Sequence, residues 1–550
     1  MAANTRRGFL DVIEWLGNRL PDPSILFIGG TLLIMVLSHI GTVGGWSVAK
    51  VQLRAVTETV VDEAGNTLIR PIIDATTNRP KSEIVQLDET VRPRSLLTSD
   101  GIYWCIAGLI RNFINFPPLG IVITAMLGVG VAERSGLFDA LLKLVARIVP
   151  PRLVTPTVIF LGMASHMASD AGYLVLPPLA AALYLAAGRS PLLGIANAFA
   201  GVAGGFAANF LISGTDALIA GITQPNAQIL DPGYTVAATA NWYFMAGSTV
   251  LLTVVGWALS SWFIEPRLSK RPPDEGGPQV AAAAGVDAAL SADQVRGLRW
   301  ALAAVVLMLG AILSLILIPG APLSGMGPDA VTGKPVVRWV ASVVPLVFAF
   351  FIAPGMAFGY STGRFRSLND VVATMVEAVK ALAPIIQMSF FAAQFIAFFN
   401  ESNLGKMLAI VGGRFLAEIN AEPMVVIVLF IALVIVLDLL IASMSAKFAL
   451  IAPIFVPMLM MLGLSPELTQ CAYRVGDSVA NIVSPMNSYL LVILVVMQRY
   501  VPKAGLGTLM SLMTPYSIVF AIVWTAFLLG WMWLGVPLGP GAPLWYAPLN

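Results

Sequence analysis

Residues 24–44 run for 21 positions without an Asp, Glu, Lys or Arg. A helix needs about 20 apolar residues to cross a bilayer. Stretches of this kind recur along the chain, and they constrain its fold more than any other feature. Only 11% of the 550 residues are charged, and the mean hydropathy is +0.83. A water-soluble domain carries about 25% charged residues, so most of this surface faces lipid. The period-two alternation of an outer-membrane barrel is missing, so the spans are helices.

Nine crossings are expected, near 24–44, 102–132, 192–222, 241–264, 298–318, 339–360, 378–399, 469–496 and 511–533. Two further apolar pairs are too short to be pairs of spans: 153–168 with 172–187, and 423–442 with 448–464. A polar tip splits each pair, which predicts two re-entrant hairpins, at 153–187 and 423–464. Non-helical backbone at membrane depth has to be buried in protein or line a cavity. The fold class expected is therefore an all-α polytopic membrane protein with nine transmembrane helices plus two re-entrant hairpins.

Charge orients these spans. With the N-terminus inside, sixteen Lys and Arg fall on inner segments, among them Arg134, Arg189, Arg267, Lys270 and Lys503. The short outer segments hold four: Lys334, Arg338, Lys406 and Arg414. This asymmetry follows the positive-inside rule. The chain then divides into an interfacial segment (1–23), a first half (24–268), an inner linker (269–297), a second half (298–536) and an outer tail (537–550). Phe9, Leu10, Val12, Ile13, Trp15 and Leu16 predict a short helix lying in the membrane interface. The outer stretch 46–100 alternates polar and β-branched residues and reads as a small extramembrane piece.

The halves repeat each other. Ala168-Ser-Asp-Ala-Gly-Tyr173 corresponds to Ser443-Met-Ser-Ala-Lys-Phe448. Tyr173 and Phe448, Pro178 and Pro453, and Pro191 and Pro466 are each 275 residues apart. Ala208-Asn209 matches Ala480-Asn481 at an offset of 272. In this topology the first hairpin enters from inside and the second from outside, so the repeat is inverted, the architecture of secondary transporters that alternate access around a central site. Breaks are expected at the midplane, at Ser213-Gly-Thr-Asp216 and Ser484-Pro-Met-Asn487. Half-helix ends there aim partial charges at an ion or an anionic group.

Ionisable residues at bilayer depth are functional candidates, since each costs about 2.5–3.5 kcal/mol on insertion scales. They are Asp170, Asp216, Asp438, Lys447, Arg474 and Asp477, all at a hairpin or a broken span. Asp216 handles a proton or ion, or caps the half-helix after Gly214. Arg474 and Asp477 share a helical face and form an ion pair or a gate. Lys447 holds a substrate carboxylate or satisfies carbonyls at the hairpin tip. Asp438 carries a proton or partners Lys447, and Asp170 carries a proton or caps the second leg of its hairpin. Ser213, Ser443, Ser445, Asn209, Asn481 and Asn487 offer oxygen or amide groups to Na⁺ or a substrate, or glue helices together. Cys105 and Cys471 imply no disulfide and no metal, and His39 and His166 are isolated.

Several stretches make the chain similar to the p-aminobenzoyl-glutamate transporter (AbgT) family. They are Gly17-Asn-Arg-Leu-Pro21, Met126-Leu-Gly-Val-Gly-Val-Ala-Glu133, Ser169-Asp-Ala-Gly-Tyr173, Phe391-Ala-Ala-Gln-Phe395, Ala452-Pro-Ile-Phe-Val-Pro457 and Tyr473-Arg-Val-Gly-Asp-Ser478. The resemblance implies a homodimer in the bacterial inner membrane. It implies import of p-aminobenzoyl-glutamate, or proton-driven export of sulfonamide antimetabolites. It assigns the site to Asp216, Ser445, Pro466, Arg474 and Asp477. Phe448 stands where the family usually has Trp, and Asp438 where it usually has Asn.

The expectation is thus a secondary transporter with no cofactor beyond H⁺ or Na⁺ as coupling ion. Its partners are a small-molecule anion and the bilayer, not nucleic acid. Lys447 or Arg474 holds the anionic group, Phe448 contacts a ring, and Asp477 with Asp216 or Asp438 takes the proton. An intramembrane aspartyl protease lacks its Gly-x-Gly-Asp context here, since Asp477 follows Arg474-Val-Gly. A channel is compatible with the broken helices, but inverted hairpins favour alternating access. ATP coupling lacks its Gly-x-x-x-x-Gly-Lys-Ser/Thr loop.

Overall fold

The computed structural model describes residues 23–61, 67–74, 79–80, 82–168, 171–278, 290–328, 335–419, 421–441, 443–484, 487 and 489–546. Most of the expected interfacial segment, Asp170, and Pro485 and Met486 of the second break lie outside them.

The chain is mostly helical. Helix α1 (Pro23–Val43) is the first apolar run. The outer stretch, expected only to be a small extramembrane piece, forms antiparallel ribbons. Strands β1 (Val48–Ala55) and β6 (Ser82–Val91) pair at the root. Beyond them β2 (Thr57–Val61) pairs with β3 (Thr67–Pro71), and β4 (Ile73–Asp74) with β5 (Arg79–Pro80).

The expected single span at 102–132 is two helices, α2 (Ser99–Ile114) and α3 (Pro117–Arg134). Pro117 and Pro118 supply no N–H and bias the preceding residue away from helix, so the first helix stops at Asn115. The expected span at 378–399 is also longer and bent. Helices over Leu368–Ala381 and Ala383–Glu401 meet near Leu382 at about 49° between their axes. Three amphipathic helices escaped the span reading because charges interrupt them. Helix α4 (Leu137–Ile148) is one of these, with Leu137, Leu141, Leu144 and Ile148 at helical spacing.

The first hairpin is α5 (Val154–Ala164), a 3₁₀ turn, and α6 (Ala171–Ala186). Then come α7 (Pro191–Phe199), continued by a π turn to Gly204, and α8 (Gly214–Ala227). Helix α9 runs 27 residues from Trp242 to Leu268, with a π turn at Ser260–Ile264. The second half has α10 (Ala292–Leu317), α11 (Val343–Ser361), α12 (Leu368–Ala381), α13 (Ala383–Glu401) and α14 (Leu404–Glu418). Helix α10 starts six residues inside the expected linker, where Ser291 and Gln294 form a capping box. The second hairpin is α15 (Pro423–Asp438) and α16 (Met444–Met460). Helices α17 (Pro466–Asn481), α18 (Tyr489–Gln498) and α19 (Leu506–Leu534) complete the bundle.

Two turns in different halves have the same structure, residue for residue. Each hairpin ends in a left-handed glycine, Gly188 (φ 67°) and Gly463 (φ 76°). The Gly188 and Arg189 amides donate to Leu185 and Tyr184 carbonyls, and the Gly463 and Leu464 amides donate to Met460 and Leu459. This is the Schellman stop that glycine allows. The next residue caps a proline-led helix, Ser190 onto the Leu193 amide and Ser465 onto the Leu468 amide. All of these correspondences keep the offset of 275.

Helix α9 shows where the two turns lie. Arg189, in the first turn, pairs with Glu265 at 2.7 Å, near the end of α9. In the second, the Glu467 carbonyl accepts from Asn241 at 2.9 Å, just before α9 begins. Twenty-seven helical residues span about 40 Å, so equivalent turns sit at opposite ends of the bundle. An inverted repeat requires this arrangement. The Glu467 end also carries the ribbon root, where Val48 and Val91 pack on Ile410 and Met461.

Two packed regions result. One joins α3, α4, α10 and α11 through Val129, Ala132, Leu137, Ala301, Phe351 and Phe358. The outer face of α10 stays bare, with Leu302, Val306, Leu307 and Leu317 exposed, as a lipid-facing helix should be. The other and larger region holds both hairpins, both broken helices, α9 and α19. Within it α5 crosses the π turn so closely that a Cβ on Gly201 would lie 2.4 Å from the Ile159 carbonyl oxygen. Gly201→Val should cost about 1–3 kcal/mol through overpacking. The thermal midpoint of the detergent-solubilised protein, followed by size-exclusion chromatography, should fall. An unchanged midpoint would contradict this crossing.

Candidate transport site

Helix α17 is buried from Pro466 to Ala480, yet it carries Glu467, Gln470, Arg474, Asp477 and Ser478. Steps of three or four residues, from Glu467 through Gln470 to Arg474 and on to Asp477 or Ser478, make a polar stripe inside the bundle. Hairpin 2 and the break before α8 close around this stripe.

The break in the first half begins after the π turn and ends where Ser213 starts α8. Asp216 reaches back to the Ser213 amide at 2.7 Å and accepts from the Ser213 hydroxyl at 2.7 Å and Asn209 Nδ2 at 3.0 Å. All three donors use Oδ2. The other oxygen, Oδ1, meets Arg474 Nη1 at 2.7 Å. Asp216 is therefore both a helix-start residue and half of an ion pair. Arg474 also donates to the Ala207 carbonyl at 2.8 Å, and the Ala207 amide donates to Ser478 at 3.0 Å. These bonds hold the broken backbone against α17.

Asp477 does not pair with Arg474, although both project from α17. Helical spacing fixes only their common face, while each finds its counter-charge on another element. Asp477 Oδ1 lies 2.8 Å from Lys447 Nζ, on the first turns of α16. Lys447 also bonds Asp438, the last residue of α15. Hairpin 2 thus brings a base from one leg and an acid from the other to the same place. The Tyr473 hydroxyl lies 2.6 Å from the Met444 carbonyl and 3.1 Å from Asp477 Oδ1. The Ser484 hydroxyl donates to the Asp438 carbonyl at 2.9 Å, tying the hairpin tip to the second break.

Five charged residues thus meet: Asp216, Asp438, Lys447, Arg474 and Asp477, none more than 5% exposed. Three carboxyls face two cations, which leaves one negative charge over. Among the described residues Asp438 Oδ2, Arg474 Nε and Asn209 Oδ1 are buried without a hydrogen-bond partner. A proton or a ligand has unsatisfied atoms to meet here.

The remaining expected residues lie around this centre. Phe448 is fully buried, its ring 4.4 Å from that of Tyr473. Ser445 is half-buried at the hairpin tip, 3.5 Å from the exposed Ser443 hydroxyl. Asn481 takes part in the second break, accepting from Asn487 Nδ2 at 2.9 Å. Pro466 starts α17, about two turns from Arg474, and is not brought to the charged group. The sequence reading named Ser484 only at a break and Tyr473 and Ser478 only within a family stretch, yet all three bond the centre together, and it missed Tyr489. The Tyr489 ring stacks on Tyr173 of hairpin 1 at 4.2 Å. His166 is buried beside Phe206 with its Nε2 against the Val202 carbonyl, a packing role at the tip of that hairpin.

A helical bundle with broken helices and a sealed group of ionisable side chains defines the membrane-transporter class of protein. The chain belongs to the AbgT putative transporter family, whose model matches residues 8–546. It is 35% identical over 530 residues to the p-aminobenzoyl-glutamate transport protein of Escherichia coli K12, covering 96% of this chain and 95% of that one. The YdaH transporter of Alcanivorax borkumensis superposes with a TM-score of 0.80 at 36% identity, over 94% of this chain and all of that one. MtrF of Neisseria gonorrhoeae, whose structure is described as illuminating a class of antimetabolite efflux pumps, gives 0.83 at 37% identity, over 98% of this chain and all of that one.

Proposed function

We propose that this transporter moves p-aminobenzoyl-glutamate-like anions of folate chemistry across the bacterial inner membrane, driven by the proton gradient. The observation that carries this reading is the uncompensated negative charge around Lys447. In the sealed conformation two carboxylates hold this lysine. A proton on Asp477 or Asp438 removes one of its partners and leaves the ammonium able to take a substrate carboxylate. Proton and anion then enter the same state, which couples their movement.

In this reading nine spans and two hairpins form an inverted repeat, with the linker end cytoplasmic and the ribbon end periplasmic. The protein is a homodimer. Hairpin 2 and the two breaks move against the α3–α4–α10–α11 scaffold. The residues assigned to substrate are Lys447, Arg474, Ser445, Asn209, Asn481 and Phe448, whose ring can meet an aryl group once Tyr473 moves away. Asp477, Asp438 and Asp216 handle the proton.

MtrF favours a second reading, export of sulfonamide-like antimetabolites in exchange for protons. There the proton and the drug must exclude each other. Proteoliposomes separate the two. The first reading expects p-aminobenzoyl-glutamate to accumulate down an imposed proton gradient, and to do so without Na⁺. Sulfonamide leaving against the proton flow, with no uptake of the glutamate compound, would replace it with the second.

A further inference from the structure

Glu467 is the charged residue of α17 that the central group does not use. It is 3% exposed, and among the described residues no Lys or Arg pairs with it. Its Oε2 accepts from the Tyr234 hydroxyl at 2.8 Å. A buried carboxylate without a cation is costly, and a proton removes that cost. Glutamate in the first turn of a helix is ordinary at a surface. Here the C-terminal tail makes the site interior. The Ser465 amide donates to Leu544 at 3.1 Å, the Tyr546 amide donates to Gly463 at 2.8 Å, and Leu538, Ala542 and Leu544 are buried.

Among the described residues, the side chains bonded to Glu467 are neutral. Tyr234 and Asp231 come from the segment before α9, and the Tyr546 ring lies 5.8 Å from that of Tyr234. On α17 itself the next ionisable groups are Cys471, Tyr473 and Arg474. Inward from Glu467, Gln470 takes a bond from Thr223 at 2.8 Å and gives one to Asn241 at 2.7 Å. Arg474 and Asp477 follow on the same stripe. Ten residues of helix place Asp477 about 15 Å deeper than Glu467.

We propose that Glu467 is a proton-exchange site at the ribbon end of α17, roofed by the C-terminal tail, which loads the carboxyls around Lys447. When the tail lifts, the carboxylate takes a proton from water and becomes neutral. It later gives that proton to water that enters beside Gln470 and Arg474, whose side chains line the route without carrying the proton themselves, and recovers its charge. This inference rests on the proton-coupled reading above.

The test uses the full-length protein in proteoliposomes and compares gradient-driven uptake of p-aminobenzoyl-glutamate with substrate exchange at equal pH on both sides. Exchange needs no net proton movement. Glu467→Gln should lose uptake by roughly 100-fold, the lower range for a positioned proton carrier, while exchange stays within about twofold of wild type. Tyr234→Phe removes a donor to the carboxylate and should shift the midpoint of the uptake–pH curve to higher pH. Retained exchange shows that each variant is folded. If both variants follow the wild-type pH curve with full uptake, the proposal is overturned and proton coupling stands. If wild-type uptake ignores the proton gradient, the coupling reading itself falls.

Discussion

Asp477→Asn abolishes gradient-driven transport and leaves a folded protein. The variant keeps the shape of the side chain and removes the excess charge, so Asp438 and Lys447 are left as a balanced pair. Lys447 then has no second carboxylate whose protonation can release it. Uptake should fall by roughly 100-fold or more, as when a positioned proton carrier is lost. The fold should suffer less than the roughly 3–5 kcal/mol that stranding a buried charge costs, because Lys447 keeps Asp438. Proteoliposome uptake and thermal unfolding measured on one preparation check both parts. Undiminished uptake would remove Asp477 from the mechanism.

Arg474→Met has a different signature, lost stability. It strands Asp216, which has no other ion-pair partner among the described residues. The cost should be about 3–5 kcal/mol, seen as a large drop in thermal midpoint. Adding Asp216→Asn should recover most of that stability and none of the transport. The positive coupling between the two substitutions measures their interaction. Arg474→Lys keeps the charge, but its ammonium is a compact point where the guanidinium is a fork. The fork reaches Asp216 and the Ala207 carbonyl together, so lysine should rescue stability only in part. Additive losses in the double variant would mean that the two side chains do not depend on each other.

Much of this arrangement was legible in the chain because a bilayer tolerates few ionisable residues. Asp216, Asp438, Lys447, Arg474 and Asp477 stood out by type and depth, and the structure brings all five together. Their pairing was not legible. The three-residue spacing of Arg474 and Asp477 reports one helix, whereas Asp216 approaches from the other half of the chain. Short apolar pairs located the hairpins, and the offset of 275 that relates them also relates Gly188 to Gly463, whose left-handed stops were overlooked. The stop before Pro117-Pro118 had a plain signal that the length of the apolar run concealed. Helices α4, α12 and α14 were missed because their charged faces fail a test for spans. Glu467 was not singled out, because nothing in the sequence shows the tail folding over it.

The central claim is that an anionic substrate and a proton bind together, since Lys447 is freed for one by the arrival of the other. Proton uptake on substrate binding tests this most directly. A pH dye in weakly buffered detergent solution reports protons bound as p-aminobenzoyl-glutamate saturates the protein. The account predicts net uptake approaching one proton per substrate bound, lost in Asp477→Asn. Binding with no proton uptake, or with proton release, would contradict it.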